Sequence, residues 1–246
     1  MSDGDITPEW PQAGVGSRTQ TQPRTENPIK RFFASAGFLL DASRKRPAGR
    51  RVLSAIVAVL VIAGLGMIAY PAVTNIWAGR TQDKLHKDFQ ALGPGGYTSR
   101  SFKDGQGVTR LIIKKLHVDV IVVYGWSGNA LRAGAGLKPD PPGNALPGDP
   151  VGNVAIAGHR TGFGEPFRHL EKLTAGDKVE LDTPIGNFLY EVVPAFDGHP
   201  NPWVTTPYDF TVIGPTPYGA LTLVTCDPPH TSKKRMIVRA RLVGRA

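Results

Sequence analysis

The chain has little cysteine: Cys226 stands alone among 246 residues. That excludes an intramolecular disulfide and any Cys-rich zinc module, and it leaves one thiol that is inert, intermolecular or reactive. Acidic side chains are also short, 20 Asp and Glu against 29 Lys and Arg, for a net charge of +9. The surplus is spread thinly, +4 over residues 1–51 and +5 over the remaining 195. It is too diffuse for a nucleic-acid footprint, so no nucleic-acid partner is expected. There is no internal repeat. With 41% apolar and 20% charged residues, the composition is not that of a collagen, a coiled coil or a wholly disordered chain. There is length for one ordinary core plus attachments.

One attachment is plain. Residues 52–70 read VLSAIVAVLVIAGLGMIAY, and no charge follows until Arg80. Nineteen helical residues rise about 28 Å, close to the ~30 Å hydrocarbon core of a bilayer, so the stretch is expected to span a membrane. Arg44, Lys45, Arg46, Arg50 and Arg51 precede it, whereas Arg80, Lys84 and Lys87 beyond it are interleaved with Asp83 and Asp88. Positive charge stays inside, which makes the N-terminal tail cytoplasmic and everything after about residue 75 extracellular. Residues 1–28 carry few apolar anchors and are expected to be disordered. Phe32, Phe33, Phe38, Leu39 and Leu40 then fit the bilayer interface. After the span, Leu85, Phe89 and Leu92 recur at helical spacing. They predict a short stalk helix packed on the following domain and ended by Gly93-Pro94-Gly95-Gly96.

From about Val108 the pattern changes to short β-rich runs at 109–113, 118–123, 153–157, 178–182, 188–193, 221–225 and 236–243. Seven or eight strands punctuated by Gly and Pro predict an all-β closed barrel or sandwich. One short helix is expected at 166–173, with Pro at its start and Gly176 beyond its end. The loop 138–150 holds five prolines and is expected to run along the surface.

The thiol sits where a strand must end. Cys226 closes Leu221-Thr222-Leu223-Val224-Thr225 and is followed by Asp227-Pro228-Pro229, whose prolines cannot continue a central strand. An eight-residue connection, 227–234, then leads to the strand at 236–243. If the two strands pair antiparallel, Arg235 approaches Cys226, with Lys233 and Lys234 adding to the same positive field. A cation near a thiol favours the thiolate, and Asp227 beside it opposes that effect. A nucleophilic thiol also needs a proton carrier, for which imidazole is best suited. His86, His117, His169 and His199 read as surface residues. His159, in Gly158-His159-Arg160-Thr161-Gly162, and His230, four residues past the cysteine, both remain in play on placement alone. A Cys226/His230 metal site is the competing constellation, but two ligands leave a tetrahedral ion half-satisfied.

Three segments together, GNVAIAGHRTGFGEPFRHL at 152–170, LTLVTC at 221–226 and KKRMIVRARL at 233–242, resemble a sortase, one of the cysteine transpeptidases of Gram-positive surfaces. The resemblance covers roughly residues 108–246. The short Cys226-to-Arg235 spacing, the AGHR setting and the preceding anchor are most similar to the class E sortases of actinobacteria. It implies an eight-stranded sortase-type β-barrel with short helices, preceded by a single transmembrane helix. Cys226 would be the nucleophile, His159 the general acid and base, and Arg235 the group that positions substrate or stabilises developing negative charge, all meeting around the sulfur at the mouth of the barrel. No cofactor or metal is implied.

By the same resemblance the chain would divide into a basic cytoplasmic tail (1–51), a transmembrane signal-anchor helix (52–74), an extracellular stalk (75–104) and a catalytic domain (105–246). Its partners would be exported proteins with C-terminal sorting signals, cleaved between Thr and Gly, and an amine of a peptidoglycan precursor or a pilin. Class E resemblance implies a Leu-Ala-x-Thr-Gly signal in preference to Leu-Pro-x-Thr-Gly. A hydrolytic surface peptidase and a non-catalytic binding module for such signals are the alternatives. Two departures bear on specificity: Asp227 stands where family members often carry histidine, and GLKPDPPGNA at 136–145 stands where a His-Tyr-Pro-Gly stretch is usual.

Overall fold

A computed structural model describes residues 47–98, 100–139 and 145–246. The expected disordered tail and the aromatic residues at 32–40 lie outside these residues. The chain forms two compact units, one ending at Ala63 and one running from Gly64 to Ala246.

The described part of the first unit is the start of helix α1, Pro47–Gln90. This helix is long and apolar enough to cross a membrane, and none of its most apolar stretch is buried in protein. Val52, Ile56, Leu60 and Leu65 are all more than half exposed, so most of their apolar surface is uncovered by the described residues.

In the second unit α1 has a different job. No break separates a span from a stalk, because α1 continues through Leu85 and Phe89 to Gln90. The glycines expected to stop it instead open a short helix α2, Gly93–Thr98, with Tyr97 buried. Thr74, Ala78 and Leu85 form a buried stripe at helical spacing. Leu85 and Phe89 pack on Ile121, Val123, Ala130 and Ala133. Gln82 fixes the register: its Nε2 donates to Ala133 O at 2.6 Å, and its Oε1 accepts from Ile121 N at 2.7 Å.

The body of the unit is a closed barrel. Its strands are β1 Gly107–Ile113, β2 Val118–Tyr124, β3 Ala135–Leu137, β4 Gly152–Gly158, β5 Lys178–Thr183, β6 Gly186–Val192, β10 Gly219–Asp227 and β11 Lys234–Arg245. They pair in the order β10-β4-β3-β2-β1-β5-β6-β11, and β10–β11 pairing closes the ring of eight. A ninth strand, β9 Trp203–Thr205, branches from β11, and β7 Ala195–Phe196 with β8 His199–Pro200 form a separate ribbon. Helix α3, Gly128–Arg132, is capped by Ser127 Oγ.

The seven predicted runs are all strands, and the eighth staple of the ring, β3, comes from Ala135-Gly136-Leu137. Two expectations change. The helix predicted at 166–173 is a chain of turns with a single 3₁₀ turn, Leu170–Lys172. After Pro166, the buried positions are Phe167, Leu170 and Leu173, and their spacing of three matches i→i+3 hydrogen bonds rather than an α-helix. The 138–150 loop is not wholly a surface loop, since Ala145 and Leu146 join the barrel core; 140–144 lie outside the described residues.

Alternate residues of each strand face opposite ways. Val154, Ile156, Leu221, Leu223, Met236 and Val238 point into the barrel core. Ala155, Ala157, Val224 and Ile237 point outward into a second cluster, covered by Phe196, Val212, Ile213, Trp126 and Trp203.

Candidate active site

Strands β4 and β10 run parallel from Gly219↔Gly152 to Val224↔Ala157. One step on, Thr225 Oγ1 donates to Gly158 O at 2.8 Å across the same sequence offset of 67. Carried one place further, that register sets Cys226 level with His159, the residue that follows β4. On the other flank β10 pairs antiparallel with β11, and Cys226 is the register partner of Arg235. Arg235 in turn is the register partner of Thr205 on β9. Residues 226, 235 and 205 thus lie in a row across three neighbouring strands, with His159 just past the end of β4 on the other flank of β10.

Strand alternation fixes the face. Val224 and Ile237 face outward, so Cys226 and Arg235, two residues along their strands, do too. The row lies on the outer side of the barrel rim, continuing the apolar floor of Ala157, Val224 and Ile237, rather than opening into the barrel lumen. Cys226 is the single free cysteine and is partly exposed. Directly opposed residues of neighbouring strands hold their Cβ atoms about 5 Å apart, which brings Cys226 and Arg235 within side-chain reach. The Arg235 guanidinium is turned to its own hairpin, where Nη1 donates to Ser232 O at 3.1 Å and Lys234 O at 2.9 Å. β10 extends to Asp227 and β11 begins at Lys234, so the connection is shorter than predicted, because Asp227 and Lys234 are themselves paired.

His159 is half-buried, and its pKa lies below the ordinary imidazole value, first through burial and then through the charge of Arg132. The neutral imidazole is therefore the favoured form at neutral pH. The ring of Phe163 packs on it with centroids 5.1 Å apart, and Arg132 sits 6.0 Å from the centroid of the same ring. Phe163 belongs to a tight bend, 162–165, in which all four residues have positive φ, including the non-glycines Phe163 (52°) and Glu165 (48°). Such backbone persists only where its surroundings hold it. Here Gly162 N donates to Glu165 Oε1 at 3.1 Å, and Gly164 N donates to Asn75 Oδ1 of α1 at 3.0 Å.

The other histidines are elsewhere. His86 is on α1, and His117 ends the 3₁₀ turn Lys114–Leu116 in a left-handed conformation. His169 lies 3.5 Å from Glu171. His199 stacks on Trp203 at 3.6 Å. His230 is exposed in the β10–β11 hairpin with φ of 63°. Among the described residues no three His, Cys, Asp or Glu side chains converge as metal ligands, so Cys226 and His230 have no carboxylates to complete a site.

Sequence reasoning missed Arg160. It is 7% exposed, and its guanidinium spans the end of the site. Nη1 donates to Asp227 Oδ1 and, at 3.4 Å, to Cys226 O, while Nη2 donates to Glu171 Oε2 at 2.9 Å. The signal was the dipeptide His159-Arg160 facing Cys226-Asp227, visible only once β4 and β10 are known to pair in parallel.

A family model described as the sortase domain matches residues 111–243. Sortase SrtE1 of Streptomyces coelicolor is 32% identical over 225 residues, 82% of this chain and 61% of the relative. The chain therefore spans under two thirds of that protein's length. Sortase SrtE2 of the same organism is 30% identical over 225 residues, covering 81% of this chain and 86% of the relative. Among solved structures, a Clostridium perfringens sortase D5 transpeptidase superposes with a TM-score of 0.57 at 27% identity, covering 67% of this chain and 99% of that one. Sortase E1 from Streptomyces coelicolor, solved with a tripeptide in the active site, superposes with a TM-score of 0.50 at 34% identity, covering 57% and 90%. The match to the family model, the class E relatives and the closed eight-stranded ring agree, and the chain belongs to the sortase family.

Proposed function

We propose that this protein is a membrane-anchored cysteine transpeptidase that cuts a Leu-Ala/Pro-x-Thr-Gly-type sorting signal between Thr and Gly and joins the new carboxyl end to an amine of the cell wall or a pilin. The observation that supports the reading is that Cys226 and Arg235 are register partners at the end of β10, with His159 directly following β4, the strand parallel to β10. Cys226 Sγ attacks the Thr carbonyl carbon as its proton passes to His159, and the carbonyl oxygen becomes an oxyanion. The low pKa of His159 suits the step, because a neutral ring is ready to accept a proton. Collapse breaks the Thr–Gly C–N bond; His159 returns the proton to the leaving glycine nitrogen, and a thioester remains on Cys226. An amine then attacks the thioester, loses its proton to His159 and releases the thiol.

Arg235 faces the oxyanion or a substrate carbonyl in this scheme. To do so it exchanges its bonds to Ser232 O and Lys234 O for bonds to substrate. The anchor reading is supported by the length and apolarity of α1 and by the basic flank before it; with that flank inside, the barrel lies outside the cell, where exported proteins and wall precursors are available.

The test uses the full chain in lipid nanodiscs, incubated with Leu-Ala-x-Thr-Gly or Leu-Pro-x-Thr-Gly peptides and a glycine-type amine, and read by intact mass. An acyl adduct that Cys226→Ala abolishes, together with an amine-joined product, is expected. Absence of an adduct with either peptide overturns the reading. Product that stays hydrolysed at every amine concentration replaces transfer with hydrolysis. Peptide binding that survives unchanged in Cys226→Ala without any turnover makes the protein a binding module.

A further inference from the structure

The β4–β10 ladder ends at Ala157↔Val224, short of the residues that matter most. Past that point two contacts continue the same register without a backbone ladder. Thr225 Oγ1 reaches Gly158 O just before the His159/Cys226 level. Arg160 Nη1 reaches Asp227 Oδ1 just after it, across the same offset of 67, and also touches Cys226 O. The pair of level residues is held between two cross-strand clasps, one neutral and one ionic. By strand alternation Asp227 points to the opposite side from Cys226, so its carboxylate is kept off the outer face where the thiol lies.

We propose that Arg160 and Asp227 form a positioning lock for the site: the ion pair fixes His159 and Cys226 at one level beyond the end of the ladder and cancels the negative charge that Asp227 brings next to the thiol. The roles of His159 and Cys226 are those of the proposed function, and the lock rests on that reading.

Burial makes the pair consequential. The Arg160 side chain is 8% exposed and that of Asp227 20%. Screening by water is weak there, and a charge stripped of its partner stays costly. Arg160 has a second carboxylate, Glu171, so its removal leaves Asp227 without its cation and Glu171 with only His169 beside it, whereas loss of Asp227 leaves a cation with one partner still in place. The two deletions therefore act on the thiol with opposite signs. An unbalanced anion beside a thiol disfavours the thiolate, and an unbalanced cation favours it. Removing both charges returns the balance. Geometry behaves differently: either deletion opens the clasp, so both lower turnover.

The experiment compares Arg160→Met, Asp227→Asn, the double variant and the conservative Arg160→Lys in nanodiscs. Two readouts are taken: the rate of Cys226 alkylation by iodoacetamide at neutral pH, and kcat and KM with a signal peptide. The lock predicts slower alkylation in Arg160→Met, faster alkylation in Asp227→Asn, and a double variant within about twofold of the parent, the signature of direct coupling. It also predicts that kcat falls by roughly 10–100-fold in each single variant with KM little changed, as expected when reacting groups are misplaced. Arg160→Lys recovers the alkylation rate but not the full kcat, since an ammonium replaces the charge and not the fork. If Arg160→Met does not fold, faster alkylation in Asp227→Asn beside a parent-like alkylation rate and a lowered kcat in Arg160→Lys decides the matter, and parent-like alkylation in Asp227→Asn overturns the lock. Alkylation rates that move the same way in both single variants, or a double variant no closer to the parent, overturn the lock. Alkylation requires no peptide, so a parent enzyme that forms no acyl adduct would refute the transpeptidase reading separately.

Discussion

The ring of Phe163 lies tilted by 38° against the imidazole of His159, with Arg132 6.0 Å from the centre of that ring. Burial and the Arg132 charge both disfavour the imidazolium, so the His159 pKa is held below its ordinary value. Protonation removes the base that accepts the thiol proton. Activity is therefore retained above the depressed value and lost as pH falls through it. Arg132→Gln withdraws one of the two causes and moves the acid limb of the kcat/KM profile to higher pH. Peptide kinetics across the acidic range, with parent and variant in the same buffers, check the direction; an unmoved limb would mean that burial alone sets it.

Asn75 ties this bend to α1. Its Oδ1 accepts from Gly164 N, and Phe163 lies next to the residue it holds. Asn75→Ala removes this hydrogen bond, and the side-chain contact of Asn75 with Glu165, from an already strained turn, a loss of about 1 kcal/mol. The expected result is a roughly fivefold fall in kcat/KM, with faster proteolytic cutting at 161–165 and an unchanged melting midpoint for the barrel. Nicking rates and kinetics measured on one preparation show whether the bend and the chemistry move together.

Much of this was legible because its signals are local. The apolar run of α1, the alternating strands and the proline stop after Cys226 are each written within ten or twenty residues. Placement and resemblance together point to Cys226, His159 and Arg235, and the register of β10 with β11 gives the Cys226–Arg235 neighbourhood that antiparallel pairing implied. What stayed hidden depends on pairing between distant segments. Ala135-Gly136-Leu137 has no β-branched residue, yet it closes the ring because β2 and β4 hold it from both sides. Arg160 is buried because its partners Asp227 and Glu171 arrive from 67 and 11 residues away. The helix misread at 166–173 shows the reverse error: its apolar spacing of three suited turns, and tertiary burial of Phe167, Leu170 and Leu173 decided the outcome.

The hidden strand carries its own prediction. A Cβ on Gly136 would sit 2.2 Å from Gly125 O, a backbone atom that cannot swing away. Gly136→Ala must push β3 from its neighbours, at a cost of about 2–4 kcal/mol, typical of overpacking against a rigid wall. At roughly 2–4 °C per kcal/mol for a chain of this size, the melting midpoint falls by about 5–15 °C. Thermal unfolding followed by circular dichroism measures it. Gly128→Ala, where the added Cβ meets nothing within 4 Å, is the matched control and leaves the midpoint close to that of the parent.

Arg235 offers the sharpest test of the chemistry, because its observed bonds and its proposed role differ. Its Nη1 donates to Ser232 O and Lys234 O, contacts that organise the hairpin. If these bonds were its whole contribution, Arg235→Ala would loosen an exposed turn, cost well under 1 kcal/mol, and leave the rate near that of the parent. A donor that meets charge developing at the scissile carbonyl contributes mainly in the transition state, and loss of one such donor lowers kcat by about 10²–10³-fold. The expected result is that larger fall, with KM changed by no more than about threefold, because the interaction is weaker in the ground state. Arg235→Lys recovers little, since an ammonium lacks the planar fork that spans neighbouring oxygens. Single-turnover acylation isolates the step. Parent-like acyl-adduct formation in Arg235→Ala would return this residue to the hairpin and leave the oxyanion to another donor.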